Sequence, residues 1–160
     1  MLLLTGEYQH VIDNKSRVLI SNKLRSQIDC AEHGSDFYLV LGSNGILCLY
    51  PERYYEQLVL AVAPDATAPD EAVAFERMSF ALSSKVELDR QGRLLLNESL
   101  RKRANLSDHI TLVGVRDHIE IWNNEAWEQY LSDNMAGYQK QMSQSRQQVL
   151  RQQKRQQEIL

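Results

Sequence analysis

Positive charge is scarce for a chain of this size: 18 Lys and Arg stand against 21 Asp and Glu, a formal net charge of −3 over 160 residues. That excludes a uniformly basic nucleic-acid coat. Any polyanionic partner must be met by charge concentrated locally or multiplied in an oligomer. Long apolar runs are absent as well. None approaches the roughly 18–20 residues that cross a bilayer, so no membrane partner is expected. The opening Met1-Leu2-Leu3-Leu4-Thr5-Gly6-Glu7 lacks the basic flank of a signal peptide and reads as the lead-in to a first strand. Cysteine is limited to Cys30 and Cys48. Two thiols make no disulfide framework and have no metal-type spacing, which suits reduced side chains in a cytoplasmic protein.

Signatures of catalysis are missing too. His10, His33, His109 and His118 are scattered, with no His-x-x-x-His or Cys-x-x-Cys spacing, and neither a P-loop nor a dinucleotide glycine motif occurs. Asp117-His118 falls where a tight turn is expected and reads as turn chemistry rather than an acid–base pair. The chain is thus not read as an enzyme, and no catalytic residue, metal site or cofactor is expected. Core-forming material is plentiful, with 43% of residues hydrophobic and 24% charged, a globular composition.

An internal repeat organises the chain. Val11 to Arg25, VIDNKSRVLISNKLR, aligns without gaps on Glu87 to Arg101, ELDRQGRLLLNESLR, at an offset of 76 residues. Asp13 matches Asp89, Arg17 matches Arg93, Leu24 matches Leu100 and Arg25 matches Arg101. After a connection near Cys30 to Asp36 that is about four residues longer in the first copy, Tyr38-Leu39-Val40-Leu41-Gly42 matches Ile110-Thr111-Leu112-Val113-Gly114. Ile46-Leu47-Cys48-Leu49-Tyr50 then matches His118-Ile119-Glu120-Ile121-Trp122, at an offset of 72.

Each copy predicts the same elements. A short strand runs to the Asp, and Asp-Asn-Lys-Ser or Asp-Arg-Gln-Gly supplies a turn. A second strand follows, Arg17 to Ile20 or Arg93 to Leu96, and Ser21 or Asn97 caps a short helix. Two more strands complete the copy, Phe37–Leu41 and Ile46–Leu49 or Ile110–Val113 and Ile119–Ile121, and a helix opens at Pro51-Glu52-Arg53 or Asn123-Asn124-Glu125. Recurring aromatics such as Tyr50, Tyr54, Tyr55, Trp122 and Trp127 read as helix packing rather than base stacking. Between the copies, 61–69 reads as a loop and Asp70 to about Leu82 as a helix with Val73, Arg77 or Met78, and Ala81 near one face. The organisation expected is a first unit over 5–54, a connection over 55–82, a second unit over 83–126, and a C-terminal helix with a basic Gln-rich tail over 127–160. The tail from Ala136 onward buries too little to fold alone. It either extends the helix before it or is mobile.

The two D-x-x-x-R motifs, Asp13…Arg17 and Asp89…Arg93, each followed by L-R, resemble those of the AbrB-type swapped-hairpin family, and specifically the MraZ proteins, which carry two such units. Gly6-Glu7-Tyr8, Leu49-Tyr50-Pro51, Val86-Glu87-Leu88-Asp89 and Leu112-Val113-Gly114-Val115 with Ile119-Glu120-Ile121-Trp122 extend the likeness over residues 5 to 131. The family has Gly before the first motif's Arg, where this chain has Ser16, and Pro after each second strand, where it has Ser21 and Asn97. Asn14 is then the residue expected to take up a turn position in the first unit. The resemblance implies an α+β, β-rich fold: two swapped-hairpin AbrB-like units forming a pseudo-two-fold β-barrel with short peripheral helices. It implies ring-like homo-oligomers on repeated elements in promoter double-stranded DNA, a cytoplasmic, nucleoid-associated location, and control of cell-division and cell-wall genes.

Phosphate binding needs cations on a rigid surface, and base reading needs Arg or polar side chains at base edges. Lys15 and Arg17 on the first turn, with Lys23 and Arg25 on the adjoining helix, form one candidate DNA-binding patch. Arg90 and Arg93 on the second turn, with Arg101 and its neighbours Lys102 and Arg103, form the other. Asp13 and Asp89 are candidate hairpin-orienting residues, and simple ion pairing within each motif is the competing account of both Asp and Arg. Lys140, Arg146, Arg151, Lys154 and Arg155 of the tail read as a solvated basic helix or as an auxiliary backbone contact. The alternative for the whole chain is an oligomeric scaffold or protein-interaction module of the same fold that does not bind DNA.

Overall fold

Alternating apolar residues, Asx turns and helix caps divide the first half of the chain into short pieces, and the second half repeats them. The computed structural model describes residues 1–62 and 69–158. Strand β1 (Glu7–Val11) leads through the first turn into β2 (Arg17–Leu19) and helix α1 (Asn22–Arg25). A second short helix, α2 (Cys30–His33), fills the connection that is longer in this copy, before β3 (Phe37–Leu41), β4 (Leu47–Pro51) and α3 (Glu52–Leu60). Helix α4 (Asp70–Ala81) precedes the second copy: β5 (Ser83–Val86), β6 (Arg93–Leu95), α5 (Glu98–Arg103), β7 (His109–Val115) and β8 (His118–Asn123). Helix α6 (Asn124–Glu158) ends the described chain.

The expected caps are in place. Ser21 Oγ accepts from the Lys23 N–H at 3.2 Å, and Asn97 Oδ1 accepts from Ser99 and Leu100 at 2.9 and 3.3 Å. Each satisfies backbone donors that the first helical turn leaves without partners. Asn14 takes up its expected turn position, and Ser16 enters the left-handed region, with φ at 57°, where the second copy has Gly92 at φ 78°. Asp13 imposes this by accepting from the backbone N–H groups on both sides of Ser16, Lys15 and Arg17, each at 2.9 Å.

Strand pairing shows the exchange. The six-stranded sheet has the order β1-β7-β8-β4-β3-β5, and β2 pairs with β6 in a separate two-stranded ribbon. Thus β1 of the first copy lies on β7 of the second, while β5 of the second lies on β3 of the first. The order is unchanged when equivalent strands are swapped, a pseudo-two-fold relation. Its axis passes through Cys48 opposite Glu120 in the sheet and Val18 opposite Leu94 in the ribbon, because each pair joins equivalent positions of the repeat. No ladder closes on itself among the described residues: β1 and β5 end the sheet, and the ribbon stands apart from it. The fold is therefore mixed, β-rich and antiparallel, without a hydrogen-bonded barrel seam.

The core follows the repeat. Val18 and Leu94, Ile20 and Leu96, Leu24 and Leu100, Leu47 and Ile119, and Leu49 and Ile121 are buried as matched pairs in one cluster. Burying each such side chain contributes roughly 1.5–3 kcal/mol, and neither copy alone has the partner strands to do it. Residues Met1–Asn124 form one compact unit and Glu125–Leu160 a second. In the first unit the expected helix is present as α4, which has no buried residue. Most of the loop expected over 61–69 lies outside the described residues. In the second unit the Gln-rich tail continues α6 as helix to Glu158.

Candidate nucleic-acid interface

The two D-x-x-x-R turns share one backbone geometry. In the first, Asp13 Oδ2 accepts from Arg17 Nε at 2.7 Å while Oδ1 holds the backbone N–H groups of Lys15 and Arg17. In the second, Asp89 Oδ2 accepts from Arg93 Nε at 2.8 Å and Oδ1 from Gln91 N and Arg93 N at 2.9 and 3.0 Å. In each turn, two residues are thus tied to one carboxylate by three hydrogen bonds. Hydrogen bonds from the backbone N–H groups of Arg17 and Arg93 hold both carboxyls below the ordinary 3.8, against the smaller opposing effect of desolvation. Both aspartates are therefore anions at neutral pH, and each fixes the direction of its arginine.

That anchoring uses the inner edge of the guanidinium. Arg17 is bound through Nε, and no hydrogen bond to either of its Nη groups is found among the described residues. Arg17 and Arg93 are each about a quarter to a third exposed. The Arg17 guanidinium, held at Nε and open at both Nη groups, is set up for two parallel bonds to a phosphate or a guanine edge, whereas Arg93 also meets Asp89 Oδ2 through Nη2 at 2.8 Å and keeps Nη1 for the outside.

The ribbon brings the turns together. Arg17 lies opposite Leu95, and Leu19 lies opposite Arg93. Val18 and Leu94 are fully buried on the inner face, so Arg17, Leu19, Arg93 and Leu95 share the outer one. Leu19 and Leu95 are 39% and 66% exposed, an uncharged apolar strip between two anchored cations. The period-2 pattern flags it, because each leucine follows a residue destined for the core.

The helix arginines reach across the pseudo-dyad. Arg101 donates from Nη2 to Asp108 at 2.6 Å, from Nε to the Leu106 carbonyl at 3.3 Å, and from Nη1 to Ser16 Oγ of the first turn at 3.5 Å. Arg25 donates from Nε to the Ile20 carbonyl at 3.0 Å, and its guanidinium lies over Gly92 of the second turn. Ser16 and Gly92 are equivalent positions, so each helix arginine braces the other copy's turn. Lys15, Lys23 and Arg90 are exposed and form no ion pair among the described residues, whereas Lys102 pairs loosely with Glu98 at 3.8 Å. The tail cations Lys140, Arg146, Arg151, Lys154 and Arg155 are all exposed along α6 of the second unit.

A family model described as "MraZ protein, putative antitoxin-like" matches residues 3–77 and again 80–153, one match on each copy of the repeat. The chain belongs to the MraZ family. Relatives named "Transcriptional regulator MraZ" include those of Finegoldia magna, 36% identical over 83% of this chain and 90% of the relative, and Caldicellulosiruptor saccharolyticus, 34% identical over 86% and 93%. That of Lactobacillus delbrueckii subsp. bulgaricus is 35% identical over 83% and 90%. These MraZ proteins are named as regulators and not as enzymes, and no described helix of this chain is long and apolar enough to cross a membrane. Both MraZ matches include a D-x-x-x-R turn, which the fold gathers into one ribbon.

The aromatics resolve as packing. Tyr38 stacks on Tyr55 with ring centres 4.7 Å apart, and Tyr50 stacks on His118 at 5.0 Å. Absent from any sequence signal is a group of three donors drawn together from two strands, Cys48, His118 and Glu120.

Proposed function

We propose that this chain is a sequence-specific, DNA-binding transcription regulator that meets the duplex through the outer face of the β2–β6 ribbon. The observation that carries this is the pairing of two carboxylate-anchored arginines, Arg17 and Arg93, on one two-fold-related face. Lys15, Lys23 and Arg90 stand beside them as phosphate contacts, while Arg25 and Arg101 position the turns and lend their exposed edges to the same field. The names of the relatives support the regulatory reading.

One such face makes few contacts and binds weakly. A ring-like homo-oligomer would present several faces to repeated promoter elements and raise avidity through effective concentration, which reconciles an acidic chain with a polyanionic ligand. The apolar surface of α4, where Val73, Phe75, Met78 and Phe80 are exposed, supports self-association. Within each chain the two copies would curve as an AbrB-type barrel without a closed seam. We place the protein in the cytoplasm at the nucleoid, acting on cell-division and cell-wall genes.

The deciding assay is binding of a labelled promoter fragment from upstream of the protein's own gene. Arg17→Ala or Arg93→Ala is expected to weaken binding by more than about tenfold, the worth of one bidentate contact, with the oligomer intact. Parent-like binding by both variants would overturn the assignment. No shift at low salt by the parent would favour an assembly scaffold.

A further inference from the structure

We propose that Cys48, His118 and Glu120 form a zinc site on the pseudo-two-fold axis of the sheet. Cys48 lies directly opposite Glu120 where β4 pairs with β8, and His118, two residues before Glu120 on the same strand, points to the same face. The thiol sulfur, an imidazole nitrogen and a carboxylate oxygen all lie within 4.8 Å of one another. A tetrahedral Zn²⁺ with bonds of about 2.0–2.3 Å needs its donors about 3.3–3.7 Å apart. His118 Nε2 and Glu120 Oε1 already stand at 3.4 Å, so Cys48 Sγ has to close the remaining gap.

The surroundings are those of a ligand set. Asp117 Oδ1 lies 2.7 Å from His118 Nδ1, which fixes the ring and turns Nε2 toward the sulfur and Glu120. Tyr54 donates to the other Asp117 oxygen at 2.7 Å, and Trp122 Nε1 donates to Glu120 Oε2 at 2.7 Å, leaving Oε1 for the centre. Carboxylate-braced histidines and hydrogen-bonded carboxylates recur around protein-bound metals. The site also breaks the repeat, since Ile46 occupies the position equivalent to His118.

A soft thiolate, an imidazole and a carboxylate suit Zn²⁺, with a fourth position open to water. On binding, the Cys48 thiol gives up its proton to solvent, and His118 binds through Nε2 while Asp117 holds its Nδ1–H. Cys48 is nearly buried and His118 and Glu120 are one-sixth to one-fifth exposed, so the ion enters from the sheet face. None of this rests on DNA binding.

The test uses the full chain, stripped by chelator and titrated with Co²⁺ and then Zn²⁺. One Co²⁺ per chain should give sulfur-to-cobalt charge-transfer absorption that Zn²⁺ abolishes. Cys48→Ser should remove the band, Cys30→Ser should leave it, and Glu120→Gln or His118→Asn should weaken zinc at least about tenfold with unchanged circular dichroism. Should the Cys48 variant misfold, the parent chain decides: Zn²⁺ should slow alkylation of Cys48 and not of the exposed Cys30. No cobalt–sulfur band in the parent, a band that survives Cys48→Ser, or equal alkylation with and without Zn²⁺ would overturn the site.

Discussion

Arg25 lies so close over Gly92 that a Cβ on that glycine would stand 2.6 Å from the guanidinium carbon. The two residues belong to different copies of the repeat, so the contact is one of the cross-braces of the pseudo-dyad. Gly92 also sits at φ 78°, where an L side chain costs about 1–2 kcal/mol. Gly92→Ala should destabilise the fold by that strain plus the displacement of Arg25, lowering the melting temperature by several degrees. Ser16→Gly should change it little, since strain relief at φ 57° is offset by the added freedom of the unfolded chain and by loss of the Arg101 contact to Ser16 Oγ. Thermal denaturation of both variants checks the pair, and a neutral Gly92→Ala would contradict the brace.

Acid should loosen the two turns together. The folded pKa values of Asp13 and Asp89 lie below the unfolded value of 3.8. Each carboxylate therefore contributes stability that is fully present above that value and is lost as pH falls through the depressed folded pKa. Asp13→Asn with Asp89→Asn should flatten the dependence of melting temperature on pH below about 4 and leave its slope near neutrality unchanged. An identical acid limb in parent and double variant would mean that other carboxylates govern the transition.

The turns, strands and caps were legible because they depend on local chemistry. Asp13 and Asp89 announce Asx turns, Ser21 and Asn97 announce helix starts, and Leu24 and Leu100 mark the buried side of α1 and α5. Swapping was not legible from the residues of β1: EYQHV fits any sheet edge, and only the family likeness pointed to a partner in the other copy. The donor cluster was invisible for the same reason. Cys48 and His118 are 70 residues apart, and only the register of β4 on β8 brings them together. The positive φ of Ser16 was not legible, because a serine there is uncommon and the two amide bonds to Asp13 that enforce it leave no sequence signal of their own.

Salt should separate the roles of the cations. Each phosphate contact releases counterions and adds about 0.9 to the slope of log affinity against log salt. Lys15→Ala and Arg90→Ala should each lower that slope by about 1 per engaged chain while weakening all DNA sequences alike. Arg17→Ala and Arg93→Ala should also narrow the gap between promoter and random DNA, because base contacts carry the discrimination. Competition binding at several salt concentrations reads both quantities, and equal behaviour of the two pairs of variants would remove the proposed division of labour.

Leu94 and Leu95 are adjacent in β6 and point to opposite sides of the ribbon, one fully buried and one largely exposed. Leu94→Ala removes packing on the pseudo-dyad against Val18 and should cost about 2–4 kcal/mol, visible as a marked fall in denaturation midpoint. Leu95→Ala leaves the core untouched and should shift stability by no more than about 0.5 kcal/mol. On the proposed interface, however, Leu95 stands between Arg17 and Arg93, where apolar contact with a thymine methyl or sugar edge adds to the arginine contacts. Leu95→Ala should therefore weaken promoter binding severalfold at unchanged stability and oligomeric state, and Leu95→Glu should weaken it further by setting an anion between the two arginines. If Leu95→Glu binds DNA like the parent, the outer face of the ribbon does not meet the duplex, and the cationic surface that does must be sought on α5 or along α6.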